Sequence, residues 1–268
     1  MTIGNEVVDE RGTLDDRRPR RLEEVVGNEQ TKRRLLNERK KGRVPKRMLL
    51  HGPTGSGKTT VATILQRQFL CRDPLGSEMM CGKCQGCLET DPASDWRIYS
   101  YTASRLESFW VSSWLVDSQH ILHREDELVF IDEAQDLSKI HQHELMVQIE
   151  RARATVILAT THKHELDDAL VRRFGVNTFE MARPTPDQIV CSLRELSRRL
   201  GVTVNDEQLN IVVQGFSSDL RVCVDFVHTA LDQTENGVVT DEFVEAVTGL
   251  TRADLVNNET SDDGLPML

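Results

Sequence analysis

Gly52-Pro53-Thr54-Gly55-Ser56-Gly57-Lys58-Thr59 is the stretch on which the reading of this chain turns. It satisfies G-x-x-x-x-G-K-[ST] in full. An apolar run, Arg47-Met48-Leu49-Leu50-His51, leads into it, and Val61 to Leu70 follows with helical character. Each residue type has a physical reason. Glycines let the backbone fold tightly, so that main-chain N–H groups point at anionic oxygens. The helix that follows turns its positive N-terminal end toward the same anion. Lys58 is expected to reach the β and γ phosphates of ATP, and the Thr59 hydroxyl to ligate Mg2+. The expected contact set is therefore Gly52, Pro53, Thr54, Gly55, Ser56, Gly57, Lys58 and Thr59, with Thr60 next in the helix.

Outward from that loop, Leu128-Val129-Phe130-Ile131-Asp132-Glu133 is an apolar run that ends in two acids. A buried strand of this kind delivers both carboxylates to the C-terminal edge of a parallel sheet, where phosphates bind. Asp132 is expected to hold magnesium together with Thr59, and Glu133 to act as general base toward the attacking water. Ile98 to Tyr101 and Thr155 to Thr160 read as further strands. Their alternation with helical stretches predicts an α/β fold, a parallel sheet with helices on both faces. After Arg183-Pro184-Thr185-Pro186 the pattern turns helical throughout. Thr185 is placed as a cap with Pro186 at the first helical position, and Asn205 with Gln208 as a capping box. Ser218 is placed as the cap of a third helix, with Leu220, Val224, Val227 and Leu231 on one face, and Thr240 as the cap of a fourth. The expected organisation is a loose N-terminus over 1–16, a nucleotide-binding core over 17–184, a helical lid over 185–250 and an acidic tail over 251–268.

The formal net charge is −10, with 38% hydrophobic and 28% charged residues, which fits a globular cytoplasmic protein and argues against a general nucleic-acid coat. No apolar run approaches the roughly 18 residues of a membrane span, and Met1 to Arg21 lacks an apolar signal region. One strip departs from the acidic balance. Thr31 to Arg47 carries nine Lys or Arg against Glu38, which reads either as a phosphate-contacting surface or as a solvated helix face. Four of the six cysteines crowd together as Cys71-x9-Cys81-x2-Cys84-x2-Cys87. Four thiolates match a closed, structural tetrahedral Zn2+ site. An iron–sulfur cluster and free thiols are the competing readings. Cys191 and Cys223 sit among apolar residues and read as buried core.

With these motifs in place the chain resembles the AAA+ ATPases, and among them the bacterial DNA polymerase III clamp-loader subunit family, gamma/tau. Arg18-Pro19 followed by Val25-Val26-Gly27-Asn28-Glu29 resembles that family's opening motif, with Leu22 and Asn28 in place of its Phe and Gln. The resemblance implies that the backbone of Val26 and Gly27 lies against the adenine. Val156 to Thr161 resembles the sensor 1 strand, which implies Thr160 near the γ-phosphate. Ser218-Asp219-Leu220-Arg221 resembles sensor 2, which implies Arg221 over the phosphates; a surface pair with Asp225 is the other reading of that arginine. The position and spacing of the cysteine cluster, and Ala103-Ser104-Arg105, are similar to the same family.

The resemblance implies a clamp-loader-like ATPase. It would work in a ring with other such subunits or with itself, and open or load a sliding clamp on primer–template DNA. Two departures stand out. Where gamma/tau proteins have Ser-Arg-Cys, this chain has Leu170-Val171-Arg172-Arg173-Phe174-Gly175, whose ending resembles the RuvB motor family instead. Arg173, with Arg172 second, is the expected arginine finger. The family's helical collar has no counterpart after the lid. A RuvB-like DNA motor and a nucleotide-gated scaffold with little turnover are the alternative functions.

Overall fold

The computed structural model describes residues 18–40, 45–71, 80–81, 83–88, 91–109 and 126–254, without the side chains of 39, 40, 88 and 107–109. The expected loose N-terminus, residues 72–79 of the cysteine module and all of the tail beyond residue 254 lie outside the described residues. The chain divides into two compact units, Met1–Met181 and Ala182–Leu268.

The first unit is built on five parallel strands: β1 (Arg47–His51), β2 (Ile98–Thr102), β3 (Leu128–Asp132), β4 (Thr155–Thr160) and β5 (Thr178–Glu180), in the order β2-β3-β4-β1-β5. Strand register alternates residues between two cores. Met48, Leu50, Leu128, Phe130 and Ile157 join one, with Val61, Ile64 and Leu65 of helix α2 (Lys58–Leu70). Leu49, Val129, Ile131, Val156 and Leu158 join the other, with Leu145 and Ile149 of a later helix. Because both faces are covered, β4 is buried along its whole length and β3 up to its terminal Asp132, and such strands read as near-continuous apolar runs.

Among the described residues the other α-helices of this unit are α1 (Glu29–Lys40), α3 (Gln85–Leu88), α4 (Ala103–Phe109), α5 (Lys139–Arg151) and α6 (Asp168–Arg172). Ser138 caps α5 by accepting from the His141 N–H. The edge strand β5 spans three residues, too few to show a period in the sequence. Helix α1 anchors it: the Thr31 hydroxyl donates to the Glu180 carbonyl at 3.1 Å, and the Arg34 guanidinium donates to the carbonyls of Val176 and Thr178. The same guanidinium stacks 4.4 Å from the Phe179 ring centre. The basic strip is thus partly internal fastening. Lys32 donates to the Val25 carbonyl, Lys46 to Arg153 and Arg47 to Glu150.

The second unit is helical: α7 (Pro186–Leu200), α8 (Asp206–Gly215), α9 (Leu220–Gln233) and α10 (Asp241–Thr248), around a core that includes Ile189, Leu193, Leu209, Val212, Phe226 and Val244. Thr185–Gln188 and Asn205–Gln208 form capping boxes, and Thr240 caps α10. Helix α9 departs from expectation. Its cap is Asp219, whose carboxylate accepts from the Arg221 N–H, because Ser217 and Ser218 are spent on a turn with φ of 50° and 59°. Of the expected face, Val227 is in the core and Leu220 and Val224 pack against it. Cys223, Phe226, Val227 and Ala230 are buried, and Leu231 is exposed. Cys191 is exposed on α7 rather than buried. Cys223 is buried, and desolvation pushes its thiol up to about 12, so it is inert.

Candidate nucleotide site

The phosphate loop hangs between the end of β1 and the start of α2. Gly52, Gly55 and Gly57 have φ of 148°, 79° and 88°, values that L side chains rarely adopt. At Gly52 a methyl group would also lie 1.9 Å from the Met181 carbonyl oxygen. The Gly52 N–H donates to the Thr160 carbonyl at 3.2 Å, tying the loop's first residue to the end of β4. The Lys58 ammonium is buried at the loop's inner face, donating to the carbonyls of Gly52 and Pro53 at 2.8 and 3.0 Å. Pro53, Thr54 and Gly55 are exposed, and Thr59 and Thr60 are half-buried on the first turn of α2. The Ser56 hydroxyl is buried and meets no hydrogen-bond partner among the described residues. An orphaned polar atom, a helix N-terminus and a sequestered cation suit a polyanion.

Beside it, β3 brings its acids to the same edge. The Thr59 hydroxyl donates to Asp132 Oδ2 at 2.7 Å, and the Glu133 N–H donates to Asp132 Oδ1 at 2.9 Å. Thr59 and Asp132 are thus two hard oxygen ligands in contact, the donor set that magnesium takes. Glu133 itself sits in the left-handed region, φ 51° and ψ 48°, which costs a residue with a Cβ about 1–2 kcal/mol.

The ends of β3 and β4 are then linked through side chains. Gln135 donates to Glu133 Oε2 at 2.8 Å, and the Thr160 hydroxyl donates to Gln135 Oε1 at 2.6 Å. The Thr161 N–H also donates to Gln135 Oε1, at 3.2 Å, and the Thr161 hydroxyl lies 3.1 Å from Glu133 Oε2. His51, at the end of β1, is held below its ordinary pKa first by burial, then by Lys163 and Lys58, against an opposing pull from Glu180.

Residues 48–180 match the model of the ATPase family associated with various cellular activities (AAA). This chain carries an AAA ATPase domain. Relatives of the AAA protein include subunits of replication factor C and DNA polymerase III. It is 27% identical over 219 residues to the replication factor C large subunit of Pyrococcus abyssi, covering 80% of this chain and 41% of that protein. It is 24% identical over 244 residues to the DNA polymerase III subunit gamma of Buchnera aphidicola, covering 89% of this chain and 65% of that one. The chain therefore spans about two-fifths to two-thirds of the length of these relatives. Among solved structures, the RuvB Holliday junction branch migration motor of Thermotoga maritima superimposes with a TM-score of 0.63 at 21% identity, over 94% of this chain and 82% of that one. At that identity the likeness speaks for the AAA fold alone.

The opening segment of the AAA protein is fastened to the phosphate loop. Gly27 and Asn28 both have positive φ, and the Asn28 amide donates to the Ser56 carbonyl at 3.2 Å. Val26 is half-buried, and Leu22 is fully buried. Of the arginines expected to act on a neighbour, Arg173 pairs within the chain with Glu150 at 3.0 Å. Arg172 is exposed, its Nε donating to the Asp168 carbonyl. Arg221, on α9 of the second unit, is exposed; its N–H meets Asp219, and its guanidinium forms no ion pair among the described residues.

The cysteines converge as their spacing suggested. The Sγ atoms of Cys71, Cys81, Cys84 and Cys87 all lie within 4.8 Å of one another, with Cys81–Cys87 at 3.8 Å and Cys84–Cys87 at 3.5 Å. A tetrahedral ion with S ligands at about 2.3 Å needs separations of about 3.8 Å, so the set fits. Cys71 closes helix α2. The N–H groups of Lys83 and Cys84 hold the Cys81 thiol below its ordinary pKa, as a metal-binding thiolate requires. At Gly86 on α3 a methyl group would meet the Leu70 carbonyl at 2.4 Å, so only glycine lets the module seat against the end of α2.

Gln135, Thr161 and the Asn28–Ser56 link escaped the sequence reading. Gln135 has no motif position; Thr161, Asn28 and Ser56 lie in motifs, but their partners are 25 or more residues away in sequence, as is Gln135's partner Thr160. The one available signal was the polar pair Thr160-Thr161 at the end of an apolar strand.

Proposed function

We propose that this protein binds Mg–ATP and hydrolyses it as a clamp-loader-like subunit of a DNA replication machinery. The observation that carries the reading is the 2.7 Å contact between Thr59 and Asp132, beside a phosphate loop and Glu133. Lys58 and the amides of Gly55, Gly57, Lys58 and Thr59 would hold the triphosphate, and Val26 and Gly27 the base. Thr59 and Asp132 would hold magnesium, which supplies charge neutralisation at the terminal phosphates. Glu133 would take the proton of the attacking water, and Thr160 would read the γ-phosphate. The four cysteines would hold zinc as a staple at the far end of α2, away from the chemistry.

The replication reading is supported by relatives named replication factor C and DNA polymerase III gamma. On this reading Arg221 of the helical unit contacts the phosphates as a lid residue. Arg173 leaves Glu150 to reach the nucleotide of a neighbouring subunit, with Arg172 the second candidate. The partners are other clamp-loader-type subunits or further copies, a sliding clamp and primer–template DNA, in the cytoplasm. No helix among the described residues is long and apolar enough to cross a membrane. The test is the ATPase rate of the chain alone and with a sliding clamp and primed DNA. Stimulation by both together is expected; a rate indifferent to either would overturn the clamp-loading reading while leaving the ATPase in place.

A further inference from the structure

One lysine of the basic strip is not at the surface. Lys32 lies in the first turn of α1 and is buried. An ammonium is poorly placed there on two counts: burial strips its water, and a helix N-terminus carries partial positive charge. An apolar side chain would fill the same space without either penalty. What the ammonium alone supplies is a grip on one main-chain oxygen. Its Nζ donates to the Val25 carbonyl at 2.8 Å and pairs with Glu29 Oε1 at 2.5 Å. The Lys32 N–H meanwhile donates to the Asn28 carbonyl at 2.9 Å. Lys32 therefore holds both ends of the segment Val25-Val26-Gly27-Asn28.

The same segment is seated on the phosphate loop. A methyl group on Gly57 would lie 3.9 Å from Val25 Cγ1, so the buried Val25 side chain rests beside the start of α2. At the other end the Asn28 amide donates to the Ser56 carbonyl at 3.2 Å. Gly27 and Asn28 have φ of 70° and 58°, and a left-handed conformation at a residue with a Cβ needs outside support. We infer that Lys32 is a positioning residue for purine binding: by stapling Val25 it sets where the main chain of Val26 and Gly27 stands above the phosphate loop. The inference rests on the reading of Val26 and Gly27 as the residues that meet the base. Main-chain recognition depends on a segment ordered before the ligand arrives. Without the staple, ordering falls on the binding step, and only the base's share of affinity suffers. Lys58, Thr59 and Asp132, which face the phosphates and magnesium, make no contact with the ammonium.

The test compares two ligands on the full chain and its variants. ATP and inorganic tripolyphosphate, each with Mg2+, are competed against a fluorescent ATP analogue, and ATP turnover is followed in parallel. Lys32→Met keeps the stem and removes the ammonium. It should weaken ATP binding and raise KM about three- to tenfold, with tripolyphosphate affinity and kcat within about twofold of the parent. Glu29→Gln alters an exposed side chain and leaves the buried ammonium without its counter-ion. It should lower the preference for ATP over tripolyphosphate in the same direction, by about two- to threefold. Equal losses for the two ligands in Lys32→Met would make Lys32 a general support of the fold and overturn the inference. So would an ATP affinity and KM equal to the parent's. Where Lys32→Met fails to fold, Glu29→Gln decides, and an unchanged preference overturns the staple. A parent that binds tripolyphosphate as tightly as ATP overturns the base-contacting reading itself; a parent that prefers ATP, with variants that keep the same preference, overturns the role of Lys32 alone.

Discussion

The two halves of the nucleotide site are built from different materials. Residues 52–59 make a cradle of main chain: three glycines with positive φ, the amides they free, and the start of a helix. Side chains from two neighbouring strand ends make the other half, where Asp132, Glu133 and Gln135 meet Thr160 and Thr161. The first half is local, so its geometry is carried by eight consecutive residues. The second exists only once β3 and β4 have paired in register. The cradle is hard to alter without losing its shape, whereas the side-chain half can be rewired one hydrogen bond at a time.

Substitutions sharpen that contrast. The largest effect belongs to the side-chain half. Glu133→Gln should lower kcat about 10²- to 10⁴-fold, the usual contribution of a general base, with ATP affinity unchanged. Turnover at the parent rate would remove Glu133 from the chemistry. Gly52→Ala attacks the cradle instead. Its Cβ would collide with the Met181 carbonyl at 1.9 Å, and strain at that φ adds on the order of 1–3 kcal/mol. We expect a lower melting temperature and loss of ATP binding together; a variant that binds ATP normally would show the cradle to be more pliant than its geometry implies. Lys58→Ala leaves the backbone intact and removes a charge-assisted contact of about 1.5–3 kcal/mol, so nucleotide should bind roughly 10- to 100-fold more weakly. Equal affinity would contradict its assignment.

The smallest expected effect on the nucleotide comes from outside both halves. Metal stripping at Cys71, Cys81, Cys84 and Cys87 should lower the melting temperature while ATP affinity changes less than about threefold, because α2 separates the cysteines from the loop by 13 residues, about 20 Å. Loss of ATP binding on stripping would mean that the staple and the cradle act as one unit.

How much of this was legible in the sequence follows the same division. Strands β1, β3 and β4 announced themselves as apolar runs because both sheet faces are buried, whereas the edge strand β2 is partly exposed. β5 did not, being three residues long; it pairs with β1 and is fastened by Thr31 and Arg34 of α1, some 140 residues away. The cap of α9 was misplaced by one residue because Ser218 and Asp219 are both good caps; the turn at Ser217 and Ser218 leaves Asp219 in that place. Cys191 looked like core in an amphipathic helix and lies on its exposed side. The basic strip looked like a single surface, yet Lys32, Arg34, Lys46 and Arg47 are each fastened to main-chain carbonyls.

By itself, then, the chain's order of residues determined the parallel α/β sheet, the phosphate loop, the acids at the end of β3 and the grouping of four cysteines, since each is written in a short run of sequence. Tertiary structure alone decided that Glu133 is grasped by Gln135 and Thr161, that Asn28 is tied to Ser56, and that Arg173 pairs with Glu150. Those contacts join side chains on separate elements, and a side chain's partner is settled by how strands register and helices pack, which no local pattern encodes.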